Sequence, residues 1–309
     1  MLTTANSGWI INKTNMLSLR KTLRGTGVAV VTPFKSNFEI DYPALDKVLD
    51  SLINNGVEYI VTLGTTGETP VLDKQEKIDV VNHTFDKVAG RVPIVVGIGG
   101  NNTHELIKDL HQIPLDRAVA VLSASPYYNK PSQEGIYFHY KALAEASPKP
   151  IILYNVPGRT GKNMTADTTL RLANDIPNIV GIKEASGDMA QCMILLRDRP
   201  SEFLIVSGDD ALALPQLACG MDGVISVAGN AFPKEFSNMV RHCLNGDFGS
   251  AKQINDQLIK AYELMFAENN PAGVKAFMTE MGLLENFLRL PDVPLSKGIH
   301  QSVKLFLGK

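Results

Sequence analysis

From Gly25 onward the chain alternates between two hydrophobic periods. Continuous apolar runs fall at 28–31, 59–63, 93–97, 118–122, 151–154, 203–206 and 223–227, with one more starting at Asn178 and closing on Lys183. Between them lie amphipathic stretches with apolar positions three and four apart, the helical period. In the first of these Leu45, Val48, Leu49, Leu52 and Ile53 share one face, Asp41 stands where a helix is capped, and Gly56 stands where it stops. The later stretches span 73–88, 103–112, 133–146, 166–174, 189–197 and 211–219. A strand apolar along its whole length is buried on both faces, which a parallel sheet wrapped in helices provides.

Eight successive strand–helix cycles predict an α/β fold of the (β/α)8 TIM-barrel type rather than a doubly wound sheet. A dinucleotide-binding sheet would carry GxGxxG after its first strand, whereas Gly25-Thr26-Gly27 precedes it. Beyond Asn245 three further helical stretches, 250–266, 272–281 and 295–307, form a C-terminal helical appendage interrupted at Pro271 and Pro291. The expected organisation is a barrel over 22–244, the appendage over 245–309, and a polar, aperiodic extension over 1–21. That extension is expected to be disordered or to reflect a misassigned start, since Met16 could open the chain equally well.

Composition narrows the class. The 309 residues, 44% hydrophobic, suffice for a large core, and a net charge of −2 gives no nucleic-acid footprint and no basic membrane patch. No apolar run reaches the ~18 residues of a spanning helix. Cys192, Cys219 and Cys243 are odd in number and form no CxxC pair, which fits a reducing, cytoplasmic setting. Six scattered histidines without HExxH argue against a resident metal.

Barrel enzymes react at the C-terminal ends of their strands, so the residues there describe one cavity. Lys183 closes the sixth strand, where its amine must find a counter-ion, reach water, or give up its proton and become a nucleophile toward a carbonyl. Freeing that amine at neutral pH costs roughly 4 kcal/mol, much of which burial can supply. Tyr154 ends the neighbouring strand, with a phenol placed to shuttle a proton. Thr65 and Thr66 sit in a Gly-flanked turn that serves either as an anion nest or as a helix-capping turn. Arg159 is either a surface arginine or a bidentate carboxylate grip. The 126–131 loop, with Tyr127 and Tyr128, suits packing or an interface.

Taken together, Gly64-Thr-Thr-Gly-Glu68, Tyr127-Tyr-Asn-Lys-Pro131, Tyr154-Asn-Val-Pro-Gly-Arg159-Thr-Gly161, Gly181-Ile-Lys183-Glu-Ala185 and Gly208-Asp-Asp210 resemble the dihydrodipicolinate synthase family. The likeness runs in order from about Leu23 to the C-terminus. It implies that Lys183 forms a Schiff base with pyruvate and that Tyr154 gives and takes protons. It further implies that Thr65 links Tyr154 to Tyr128, the latter arriving from the neighbouring subunit. Thr66, the Ile225 carbonyl and Gly208 would line the pyruvate pocket, and Arg159 would hold L-aspartate 4-semialdehyde. The implied reaction is an aldol-type condensation in lysine and diaminopimelate biosynthesis. It needs no cofactor, and the implied assembly is a homotetramer built as a dimer of tight dimers.

One departure concerns feedback. Asn101, Glu105 and Tyr127 match the family's lysine-effector pocket, but Thr69, Pro70, Lys74 and Lys77 replace its small residues and histidines. Cations there would repel a lysine ammonium, so weak or absent feedback is expected. Rival readings keep the barrel. One is N-acetylneuraminate lyase or a 2-keto-3-deoxy sugar-acid aldolase, which recognises a polyol and differs in the Arg159 loop. The other is a non-catalytic metabolite-binding barrel, which the presence of Thr65, Tyr128, Tyr154 and Lys183 together disfavours.

Overall fold

A computed structural model describes residues 19–309. Eight parallel strands close into a barrel in sequence order: β1 (Gly25–Ala29), β2 (Tyr59–Thr62), β3 (Ile94–Gly97), β4 (Ala120–Ala124), β5 (Ile151–Asn155), β6 (Ile179–Glu184), β7 (Leu204–Ser207) and β8 (Gly223–Ser226). β1 pairs with β8 as well as β2, which leaves no sheet edge. The longer helices between and after the strands are α1 (Tyr42–Asn54), α2 (Lys74–Val88), α3 (Thr103–Gln112), α4 (Gln133–Ala146), α5 (Ala166–Asp175), α6 (Met189–Asp198), α7 (Ala213–Ala218) and α8 (Pro233–Leu244). The last has no counterpart in the sequence pattern, which gave its segment no bounds. Three more helices, α9 (Phe248–Phe266), α10 (Ala272–Glu280) and α11 (Lys297–Phe306), make up the C-terminal part.

Helix starts follow the capping chemistry. The Asp41 side chain accepts from Ala44 N–H, and Asp73 with Glu76 forms a reciprocal capping box on α2. Two strands differ from expectation: β1 begins at Gly25 and ends at Ala29 rather than covering 28–31, and β4 lies two residues later than 118–122. Of the extension expected over 1–21, residues 1–18 lie outside the described ones. Arg20 is held in place, its guanidinium paired with Asp222 at 2.8 Å.

The apolar interior has two shells. Outward-facing strand residues such as Val28, Ile60, Val96, Leu153, Ile182, Ile205 and Val224 pack against the helices. Inward-facing ones, among them Ala29, Val61, Val95, Ile152, Val206 and Ile225, fill the barrel. The C-terminal helices attach through Phe277 of α10, whose ring meets Phe232 and Phe306 edge-on at 5.7 Å each. Among the described residues no helix is long and apolar enough to cross a membrane.

Candidate active site

Strand alternation alone would turn Lys183 away from the barrel. Ile179 faces the helices, and a strict period of two would send 181 and 183 the same way. The β5–β6 ladder breaks that period: Ile151 pairs with Ile179, but Ile152 pairs with Gly181, so Val180 is one residue too many. Such a bulge shifts every later side chain to the opposite face. Val180 joins the barrel interior, Ile182 the outer shell, and Lys183 points inward opposite Tyr154, its partner in the ladder.

There Lys183 is 4% exposed and its Nζ lies 4.4 Å from the centre of the Tyr154 ring. Gly208, after β7, backs its stem: a Cβ at that position would fall 2.8 Å from Lys183 Cε and 2.7 Å from Ala185 Cβ. Ile225, on β8, is buried among the inward-facing residues. A cavity of about 470 Å³ opens above this floor, lined by Lys183, Tyr154, Thr65, Arg159 and Tyr127, and also by Lys77. Its size suits a small polar metabolite.

The Gly64–Glu68 loop is fixed from below and behind. Thr65–Gly67 is one 3-10 turn, flanked by Leu63 and Glu68, both at φ 54. Non-glycine residues in the left-handed region persist where surrounding contacts impose them. At Glu68 its own carboxylate supplies them. That carboxylate takes the ammonium of Lys275, from α10, in an ion pair with both side chains buried, and also accepts from Arg289 N–H at 3.1 Å. Lys275 donates further to the Phe287 carbonyl and lies over the Phe34 ring.

One residue at this site escaped the sequence argument. Asn270, buried before Pro271, donates from Nδ2 to the Thr66 hydroxyl at 3.1 Å, and its carbonyl accepts from the Arg159 guanidinium at 3.2 Å. Nothing local marks it. An Asn-Pro step reads only as a turn, and its partners lie more than a hundred residues away. Among the described residues Arg159 has no carboxylate partner, and it is one of the residues lining the cavity.

The other expected residues lie apart from this cluster. Tyr128 is 88% exposed with φ 70 and makes no hydrogen bond to Thr65 or Tyr154 within the chain. Asn101 donates to the Tyr127 carbonyl at 3.2 Å, while Glu105 pairs with Lys108 at 2.8 Å. Lys74 faces Asp109 at 3.8 Å.

A profile of the dihydrodipicolinate synthetase family matches residues 22–309. The chain belongs to that family. It is 51% identical over 282 residues to the 4-hydroxy-tetrahydrodipicolinate synthase of Azobacteroides pseudotrichonymphae, covering 91% of this chain and 95% of that one. The synthase of Parabacteroides distasonis is 50% identical, with 88% and 92% covered. Among solved structures, the dihydrodipicolinate synthase of Acinetobacter baumannii complexed with pyruvate superposes with a TM-score of 0.90. It is 40% identical, with 93% of this chain and 98% of that chain covered. In this dihydrodipicolinate synthetase family member, both the bulge in β6 and the Lys275–Glu68 ion pair place groups around one pocket.

Proposed function

We propose that the chain is a 4-hydroxy-tetrahydrodipicolinate synthase that condenses pyruvate with L-aspartate 4-semialdehyde through a Schiff base on Lys183. The observation that carries this is the inward turn of Lys183 at the end of β6, buried beside the Tyr154 phenol at the base of the cavity. The amine attacks the keto carbon of pyruvate, and loss of water leaves an imine whose protonated nitrogen draws electrons from the adjacent methyl group. Loss of a methyl proton gives an enamine, whose carbon adds to the aldehyde of the second substrate. That substrate's own amine then attacks the imine carbon, closes the ring and displaces Lys183. Tyr154 delivers and removes the protons these steps require.

Substrate carboxylates have two receptors. Thr66, at 1% exposure and held by Asn270, offers backbone N–H and hydroxyl toward pyruvate, beside the Ile225 carbonyl. Arg159, at the rim, has the planar fork for the carboxylate of the semialdehyde. Thr65 passes protons between Tyr154 and Tyr128 of a neighbouring subunit. The strained, solvent-facing Tyr128 backbone supports a role at such an interface. The assembly we propose is a homotetramer of tight dimers in the cytoplasm, with 22–244 as the catalytic barrel and 245–309 as its helical complement.

A direct test supplies either pyruvate with L-aspartate 4-semialdehyde or, for the reverse aldolase reaction, N-acetylneuraminate alone. Consumption of the semialdehyde without cleavage of the sugar acid is expected; the opposite pattern would assign the chain to the sugar-acid aldolases. Lys77 on the cavity wall also supports weak lysine feedback. Graded lysine in the same assay is expected to leave the rate nearly unchanged, and submillimolar inhibition would refute this.

A further inference from the structure

Immediately behind the reacting pair, on the outer face of the barrel, lies a second pair. Strand alternation that turns Tyr154 and Lys183 inward turns their successors, Asn155 and Glu184, toward the helices, and these two are also ladder partners. Both are fully buried. Asn155 Nδ2 lies 3.0 and 3.2 Å from the two Glu184 oxygens, Gln191 Nε2 donates to Glu184 at 3.0 Å, and Ser186 N–H donates at 2.7 Å. Both carboxylate oxygens therefore accept from N–H donors, and among the described residues no cation pairs with them. Burying a carboxylate without a counter-charge is costly, and replacement by an apolar residue would be the cheaper way to fill this space.

The network reaches both strands of the reacting pair and the segment after β5 that carries Arg159. Asn155 Oδ1 accepts from Met164 N–H at 3.0 Å, and its amide donates to Asn163 at 2.8 Å. Asn163 in turn donates to Gln191 of α6 at 2.9 Å, and its carbonyl accepts from Gln133 of α4 at 2.8 Å. This ties down the far end of the segment that leaves β5, makes the short turn Pro157–Thr160 and carries Arg159. The Asn155–Glu184 step is the last rung of the ladder, and the chain leaves it for loops on both sides. Strand ends open most readily when only backbone bonds hold them.

We propose that Glu184 is a positioning residue. Its carboxylate, gripped by Asn155 and Gln191, locks the last rung of β5–β6 so that Lys183 and Tyr154 keep their facing geometry and the Arg159 turn stays in place. The proposal rests on the assignment of Lys183 as the imine-forming amine. Glu184→Gln keeps the shape but sets an amide against two amide donors, leaving donors opposed. Exchanging the roles, Glu184→Gln with Asn155→Asp, restores one carboxylate and one amide across the rung.

The experiment follows borohydride trapping of pyruvate on the full-length protein, with thermal melting and circular dichroism run in parallel. At a temperature where all variants remain folded, E184Q is expected to trap pyruvate at least tenfold more slowly than the unaltered protein. Its kcat should fall by a similar factor, and the exchange variant should recover to within about threefold, a recovery that the rotated hydrogen-bond pattern predicts. A role in stability alone would lower the melting temperature and leave the trapping rate of the folded protein unchanged. Trapping by folded E184Q at the unaltered rate overturns the proposal, as does an exchange variant no faster than E184Q. Should E184Q fail to fold, Gln191→Met, which removes a single donor, is expected to slow trapping severalfold, and an unchanged rate overturns it. A lack of any adduct in the unaltered protein would overturn the Lys183 assignment itself, and this proposal with it.

Discussion

Gly208 shows how closely the site is built around one side chain. The sequence places it in a Gly-Asp-Asp motif that resemblance assigns to substrate binding; in the fold it leaves the space that the Lys183 stem occupies. Gly208→Ala is therefore expected to push Lys183 out of line with Tyr154, at a cost of about 1–3 kcal/mol in stability. Steady-state kinetics should show kcat reduced by ~10-fold or more, each tenfold corresponding to about 1.4 kcal/mol of barrier. A variant with unchanged kcat would mean that the stem is not confined there. Residue identities at the strand ends were legible because a lysine is chemically out of place in a buried strand and a phenol ending the neighbouring strand is a fitting proton partner for it. Asn270 was not, since what matters about it is a contact made by a segment far along the chain.

The strand–helix cycle was readable among the elements because continuous apolar runs have one physical meaning in a wrapped parallel sheet. Its failures have identifiable causes. β1 was expected to start after Gly27, yet Gly27 lies within the strand. The Tyr59 ring of the neighbouring strand fills the space where its Cβ would be, approaching to 2.2 Å of that position. A glycine demanded by a cross-strand ring looks in sequence like a turn. The bulge at Val180 was equally hidden, because it changes which face a residue occupies without changing composition. Contacts between elements give a separate expectation. Lys275→Met leaves Glu68 buried without its counter-charge, which should destabilise the fold by roughly 3–5 kcal/mol in denaturant titration. Adding Glu68→Gln should recover part of that loss, because the buried group left behind is then neutral. A single variant that unfolds at the unaltered midpoint would show that the pair does not hold the loop.

At the level of the whole molecule, a single chain leaves the proposed proton relay open, since Tyr128 is 88% exposed and makes no hydrogen bond to its own Thr65 or Tyr154. If each pocket borrows this phenol, two inactive variants should complement. Lys183→Ala lacks the amine but supplies Tyr128; Tyr128→Phe keeps the amine and should lose on the order of 10²-fold in kcat. Co-expressed as hybrids, they should regain much of the activity of one intact site per pair. Hybrids no more active than the Tyr128→Phe protein would assign the tyrosine to its own chain or to no catalytic role.

The most direct test is to reduce the protein with borohydride in the presence of pyruvate and then map its peptides by mass. A stable gain equal to one reduced pyruvyl group, confined to the peptide that contains Lys183 and absent from the Lys183→Ala protein, is the expected result. An adduct on another lysine, or none while the semialdehyde is still being consumed, would contradict it.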